Sequence, residues 1–275
     1  MKKVFYAFLF FLTALALNAQ DLQRIAGEIE AEGKMLYRLE KASWHGTDLF
    51  LTSYSGTMEN VGGYFSYPAN DGKTLCVFYD RKEIPTVIGV VSFDSLFMTT
   101  KTVLDLTERN MTNIERDICS MRSVALKEVQ TDTLFEKYPD TSLNLIPLIY
   151  KGEKKVYVLT SPLKPNVVFF GNDYLITLDE EYSIKKKQKL HETIISKDYG
   201  SGEKEKVTSH VHLHEGHDFI SPTDICTLML YAGTAGWKEH CVVSREYVSI
   251  WNSEKNKLSI MTMGDFENKL DLREK

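Results

Sequence analysis

The chain has 275 residues, of which 43% are hydrophobic and 26% charged, values ordinary for a globular protein. A net charge of -5 and an isoelectric point near 5.9 give no basic field, which excludes the usual electrostatics of nucleic-acid binding. The four cysteines, Cys76, Cys119, Cys226 and Cys241, contain no C-x-x-C pair and so no cysteine zinc site.

The first residues follow the order of a secretory signal peptide. A basic MKK is followed by the apolar run VFYAFLFFLTALAL, and then by Asn18, Ala19 and Gln20. Cleavage after residue 19 is expected, leaving about 255 residues that start at Gln20. The apolar run is shorter than the roughly 20 residues of a spanning helix, and no second long apolar stretch follows. The expectation is therefore an exported protein, periplasmic or secreted, with no stable membrane insertion. In that compartment Cys226 and Cys241 are the first pair to consider for a disulfide, with two buried thiols as the equal alternative.

Residues 21–41 place Leu22, Ile25, Ile29, Leu36 and Leu39 on one stripe, predicting an amphipathic helix. Short β-like runs follow: TDLFLTSY, GGYFSYP, KTLCVFYD and TVIGVVSFD. Asn70-Asp71-Gly72 predicts a hairpin turn. Residues 107–126 predict a second helix with Met111, Ile114, Ile118 and Met121 inward, and the turn-rich FEKYPDTSLN offers a boundary. The second half is again β-rich, with strands in KKVYVLTSP, PNVVFFG and DYLITLD and a return arm over DEEYSIKKKQKL. The basic KKKQK reads as a solvated edge. The fold class is α+β, a mixed sheet with flanking helices. The expected organisation is a signal peptide over 1–19, an N-terminal α+β region over 20–140 and a second α+β domain over 141–275, with a single domain over 20–275 as the alternative.

Chemistry concentrates in KVTSHVHLHEGHDFISPTDICTLMLYAG, where four of the seven histidines fall within eight positions. Val207, Ser209, Val211 and Leu213 alternate with Thr208, His210, His212 and His214, so a strand here carries three histidines on one face. Two imidazoles separated by one residue converge on one cation, and zinc accepts nitrogen ligands at about 2.0–2.1 Å. Ser221-Pro222-Thr223-Asp224 has the grammar of a helix start, with Ser at the N-cap and an acidic residue at N3. A strand bearing His210 and His212, a loop, and a helix opening with Asp224 can gather three ligands around zinc. His214 and His217 are alternate ligands, or solvent-facing members of the loop. His45, His191 and His240 lack ligand-like spacing and read as structural. Trp237, Trp251, Tyr247 and Phe219 read as core or rim aromatics.

The order His-x-His, short loop, Ser-x-x-Asp resembles the JAMM/MPN (JAB-domain) metalloprotease superfamily, over about residues 145–262 and specifically over 210–224. The resemblance implies a cytidine-deaminase-like fold for the C-terminal half, with HCVVS, EYVSIW and KLSIMTM as strands after the helix. It implies zinc as cofactor, His210, His212 and Asp224 as ligands, Ser221 supporting an oxyanion, and an upstream Glu as general acid/base. Leu213 stands where the family has Pro, and the gap from His212 to Ser221 is one residue longer. Glu153, Glu180, Glu181 and Glu192 stand in no motif, so the general-base Glu is unassigned. The expectation is accordingly a non-catalytic binding or scaffold module with a zinc site and a protein or peptide partner. The alternatives are a secreted zinc peptidase or isopeptidase, and an unrelated exported α+β protein.

Overall fold

The computed structural model describes residues 2–200, 206–212 and 218–272. Leu213 and the alternate ligands His214 and His217 lie outside them, as does most of the polar loop after Tyr199. The chain forms two compact units, Met1–Lys34 with Asp198–Lys275, and Met35–Lys197. The division falls at 34/35 and 197/198, and the strand that opens at residue 141 belongs wholly to the second of these units.

Helix α1 (Lys2–Ser53) contains the expected amphipathic segment but runs past it. TDLFLTSY, expected as a strand, instead forms its last turns through Ser53. The β-branched and aromatic residues there favour strand locally, yet Leu36, Leu39, Ala42 and Phe50 continue a buried helical stripe. Tertiary burial overrides the weak local propensity.

The unit over 35–197 begins with an antiparallel sheet. It contains β1 (Val61–Pro68), β2 (Thr74–Asp80), β3 (Thr86–Phe93) and β4 (Val103–Asp105) in that order, with β5 (Arg109–Asn110) also on β3. The hairpin at Asn70-Asp71-Gly72 joins β1 to β2, with Gly72 at φ 82° donating its N–H to Ala69 O. Alternation along β2 sends Cys76 and Phe78 to a core with Ala42, Phe50, Ile88, Val91 and Phe93. Val77 and Tyr79 face Phe65, Met111, Ile118 and Cys119 on the other side.

Helix α2 (Asn113–Thr131) begins later than expected, because Thr112 and Glu115 form a reciprocal capping box. This puts Ile114 in the first turn at 39% exposed, not inward, while Met111, Ile118 and Met121 are buried. Two further strands, β6 (Thr141–Tyr150) and β7 (Glu153–Pro162), form a long hairpin. The strands β8 (Val167–Gly171), β9 (Tyr174–Leu178), β10 (Ile184–Lys189) and β11 (Ile194–Asp198) complete the unit. The sheet order is β10-β9-β7-β6, with β8 paired to β11. KKKQK lies on the edge strand β10, as expected.

The unit over 1–34 and 198–275 contains a four-stranded mixed sheet, ordered β12 (Val207–Val211), β13 (Glu239–Val243), β14 (Tyr247–Asn252) and β15 (Lys257–Thr262). Helix α3 (Pro222–Ala235) connects β12 to β13, which run parallel, so this is a β-α-β crossover. The remaining pairs are antiparallel, and a short α4 (Met263–Asp271) follows. The α1 segment of this unit is tied in at two points. A Cβ on Gly33 would lie 2.7 Å from Ile225 Cβ, so only glycine allows this approach to α3. Glu30 Oε2 accepts the Leu258 N–H at 2.9 Å, and Lys34 and Lys257 pair with the same carboxylate. Burial alone would raise the Glu30 pKa, but these donors hold it below the ordinary value. Among the described residues no helix is long and apolar enough to cross a membrane.

Candidate metal centre

The alternation read in the sequence is present on β12, and its polar side faces inward. Thr208, His210 and His212 are buried, while Val207 and Val211 are 53% and 56% exposed. Inward imidazoles are tolerable only where each ring nitrogen has a partner. His212 Nδ1 lies 3.1 Å from Phe219 O, and a carbonyl only accepts, so this nitrogen carries the proton. His210 Nδ1 lies 2.8 Å from His240 Nε2, and His240 Nδ1 lies 2.7 Å from Thr208 Oγ1. The two remaining nitrogens, His210 Nε2 and His212 Nε2, face each other at 3.1 Å.

The carboxylate arrives from the first turn of α3. Ser221 is its N-cap, Pro222 is at N1, and Gly236 at φ 79° closes the far end. Asp224 Oδ2 accepts hydrogen bonds from Ser221 N at 2.9 Å and Ser221 Oγ at 2.8 Å. Ser221 Oγ in turn accepts the Asp224 N–H at 3.0 Å. Asp224 thus divides its oxygens: Oδ2 closes the capping box, and Oδ1 lies 3.8 Å from His210 Nε2. Asp224 is 1% exposed.

His210, His212 and Asp224 therefore each offer one buried ligand atom, all within 4.8 Å of one another. Tetrahedral zinc with ligands at about 2.05 Å separates neighbouring ligand atoms by about 3.3 Å. For two of the three pairs the observed 3.1 and 3.8 Å bracket that value, and the third lies within 4.8 Å, so the cluster could hold a metal ion. A hard-oxygen cation such as magnesium is a poorer match to two imidazoles.

Sequence reading missed His240. It is fully buried, and its partner Thr208 sits directly opposite it in the parallel register of β12 and β13. The only local signal was a histidine on a β-like run, because its closeness to His210 comes from sheet pairing. His45 is exposed on α1, stacked beside Trp44, and His191 is buried in the other unit, 3.8 Å from Asp173. Trp237 and Trp251 are buried, and Phe219 packs on Tyr247 with ring centroids 4.9 Å apart.

Each of the four cysteines is a thiol. Cys241 projects to the opposite face of β13 from His240 and Val242, so the strand's alternation turns it from the side on which the site lies. Burial, and then the Glu239 carboxylate, raises the Cys241 thiol pKa.

Comparisons with protein-family models, curated proteins and solved structures found no match to this chain.

Proposed function

We propose that the unit carrying β12 and α3 is a divergent JAMM-like module of an exported protein, holding zinc through His210, His212 and Asp224 and serving as a protein- or peptide-binding scaffold. The observation that carries this reading is the convergence of two imidazole nitrogens and one carboxylate oxygen, all buried, within 4.8 Å. A bound cation would neutralise Asp224 and give the two facing nitrogens a common partner.

The non-catalytic side of the reading draws on Ser221. A hydroxyl has one proton to donate, and Ser221 gives it to Asp224 Oδ2. Committed to the cap, that proton is turned away from an oxyanion. Zinc would supply Lewis acidity at this place, but peptide hydrolysis also needs a proton donor for the leaving amine, and the sequence sets no Glu in such a motif.

The test is the metal content of the purified mature protein, beside its His210→Ala variant. About one zinc per chain in the wild type and none in the variant is expected. Equal metal in both, or none in the wild type, would remove the proposal. Peptidase turnover with a zinc-loaded sample would favour the hydrolase reading instead.

A further inference from the structure

A cleft of about 530 Å³ opens between the last turns of α1 and the segment joining β3 to β4, wholly within the unit over 35–197. That volume is in the ordinary range of small-molecule sites. Leu49, Phe93 and Phe97 form its apolar wall, with the Phe93 and Phe97 ring centroids 5.2 Å apart. Phe97 is held at φ 55°, a costly conformation for a bulky side chain. Its neighbours brace it there. Phe97 donates its N–H to Asp94 O at 3.1 Å, and Met98 donates its own to Asp94 Oδ1 at 2.8 Å. Strain over-determined in this way clusters at ligand and active sites.

The polar lining is rich in acceptors. Among the described residues the Asp48 carboxylate makes no hydrogen bond or ion pair, so both of its oxygens are open. Thr52 gives its hydroxyl proton to the carbonyls of Asp48 and Leu49, at 3.1 and 3.0 Å. Thr102 gives its own to Met98 O at 3.2 Å. Each of these threonine oxygens is left to accept. Donors are fewer: the Thr99 hydroxyl, and the single N–H of a neutral His45. Partial burial, and then Lys41, lower the His45 pKa against the opposing pull of Asp48.

We propose that the cleft binds a neutral sugar ring, whose hydroxyls donate to Asp48, Thr52 and Thr102 while its C–H groups pack on Leu49, Phe93 and Phe97. An acceptor-rich lining selects a donor-rich ligand and repels an anion. Two donor-rich classes remain, polyols and organic cations. Lys41 Nζ already lies 5.0 Å from the centre of the Phe97 ring, so a cation on this wall would meet an ammonium. A polyol meets no such repulsion. Two adjacent hydroxyls can donate to both oxygens of one carboxylate, and each keeps lone pairs for Thr99 and His45. The C–H groups of a sugar carry the slight positive charge that an aromatic face attracts.

The experiment is saturation-transfer NMR on the purified protein, with D-glucose, D-galactose, D-mannose and N-acetyl-D-glucosamine as probes. Phenethylamine and benzoate serve as the cationic and anionic controls. At least one sugar should bind, and both controls should bind more weakly than it. Amide shifts induced by that sugar should fall on residues 45–52 and 93–102. Asp48→Ala removes charge-assisted bonds and should weaken the sugar about 10–100-fold. No binding of any of the four sugars at tens of millimolar would overturn the proposal. So would a control that binds more tightly than every sugar, shifts confined to other residues, or Asp48→Ala binding as tightly as the wild type. Should Asp48→Ala fail to fold, the wild-type shifts decide alone.

Discussion

Asp224 performs two tasks with two oxygens, and Asp224→Asn should separate them. The carboxamide oxygen can take over from Oδ2, accepting from Ser221 N and Ser221 Oγ, which now lie at 2.9 and 2.8 Å. The amide nitrogen then replaces Oδ1, 3.8 Å from His210 Nε2, and offers protons where a ligand oxygen stood. The fold loses a negative charge at the start of α3, about 0.3–1 kcal/mol, and part of the strength of two charge-assisted bonds. A total cost of about 1–2 kcal/mol, a few degrees in Tm, is expected for the metal-free protein. The zinc response should change far more. Metal at a hundred times its Kd adds about 2.7 kcal/mol to a protein that binds it only when folded, or roughly 5–10 °C. Thermal melts of wild type and variant, each with chelator and with zinc, measure both terms. The wild type should show the rise and the variant should not. Ser221→Ala, which removes about 1 kcal/mol of capping but no ligand, should keep it. An Asp224→Asn variant with the full zinc-dependent rise would refute the assignment of Oδ1 as a ligand.

Three other expectations can be checked independently. Glu115 is fully buried and takes two hydrogen bonds from Arg109 at 2.7 Å and one from Thr112 N at 2.8 Å. Burial alone would raise its pKa, but Arg109 and the Thr112 N–H hold it below the ordinary 4.5. Glu115→Gln should cost about 2–3 kcal/mol at pH 7, less than a fully buried pair because the Arg109 side chain is 37% exposed. A lowered folded pKa stabilises above the unfolded value and is lost as pH falls through the folded one. The gap between wild type and variant in urea denaturation should therefore narrow in acid, and an unchanged gap would show that charge is not its source. Lys151 and Gly152 join β6 to β7 with φ of 51° and 80°, the signs of a type I′ turn. Lys151→Asn should therefore stabilise by about 0.5–1 kcal/mol, read as a higher urea midpoint. Finally, protein recovered from the native host should begin at or near Gln20 by N-terminal mass spectrometry, and an intact Met1 in a membrane fraction would count against export.

What could be read in the sequence was what is local. Alternation and turn residues marked β1, β2, β3 and their hairpin, and Ser221-Pro222-Thr223-Asp224 marked the start of α3, because caps and turns are built from neighbours. The extension of α1 was hidden, since Leu49 to Tyr54 has β propensity and only distant packing partners make it helical. β6 was hidden too, because it opens with Thr141-Ser142 after a turn-rich stretch and carries Pro147 within it. On β12, an apolar and a polar set alternate, and the pattern alone does not say which side is buried. The answer depends on His240, 32 positions away from its partner Thr208 and aligned with it only through strand pairing.

The unit that holds the site takes its first helix from one end of the chain and its sheet from the other, and Glu30 closes on Leu258 across 228 residues. A growing chain therefore makes the α1 partner long before the strands it needs. All of residues 35–197 must emerge first. Loop closure over that distance is entropically slow, and topologies rich in such contacts fold late. The Glu30–Leu258 hydrogen bond can therefore close only after β15 has been synthesised, whereas His210, His212 and Asp224 lie within 15 residues of one another and need no such wait.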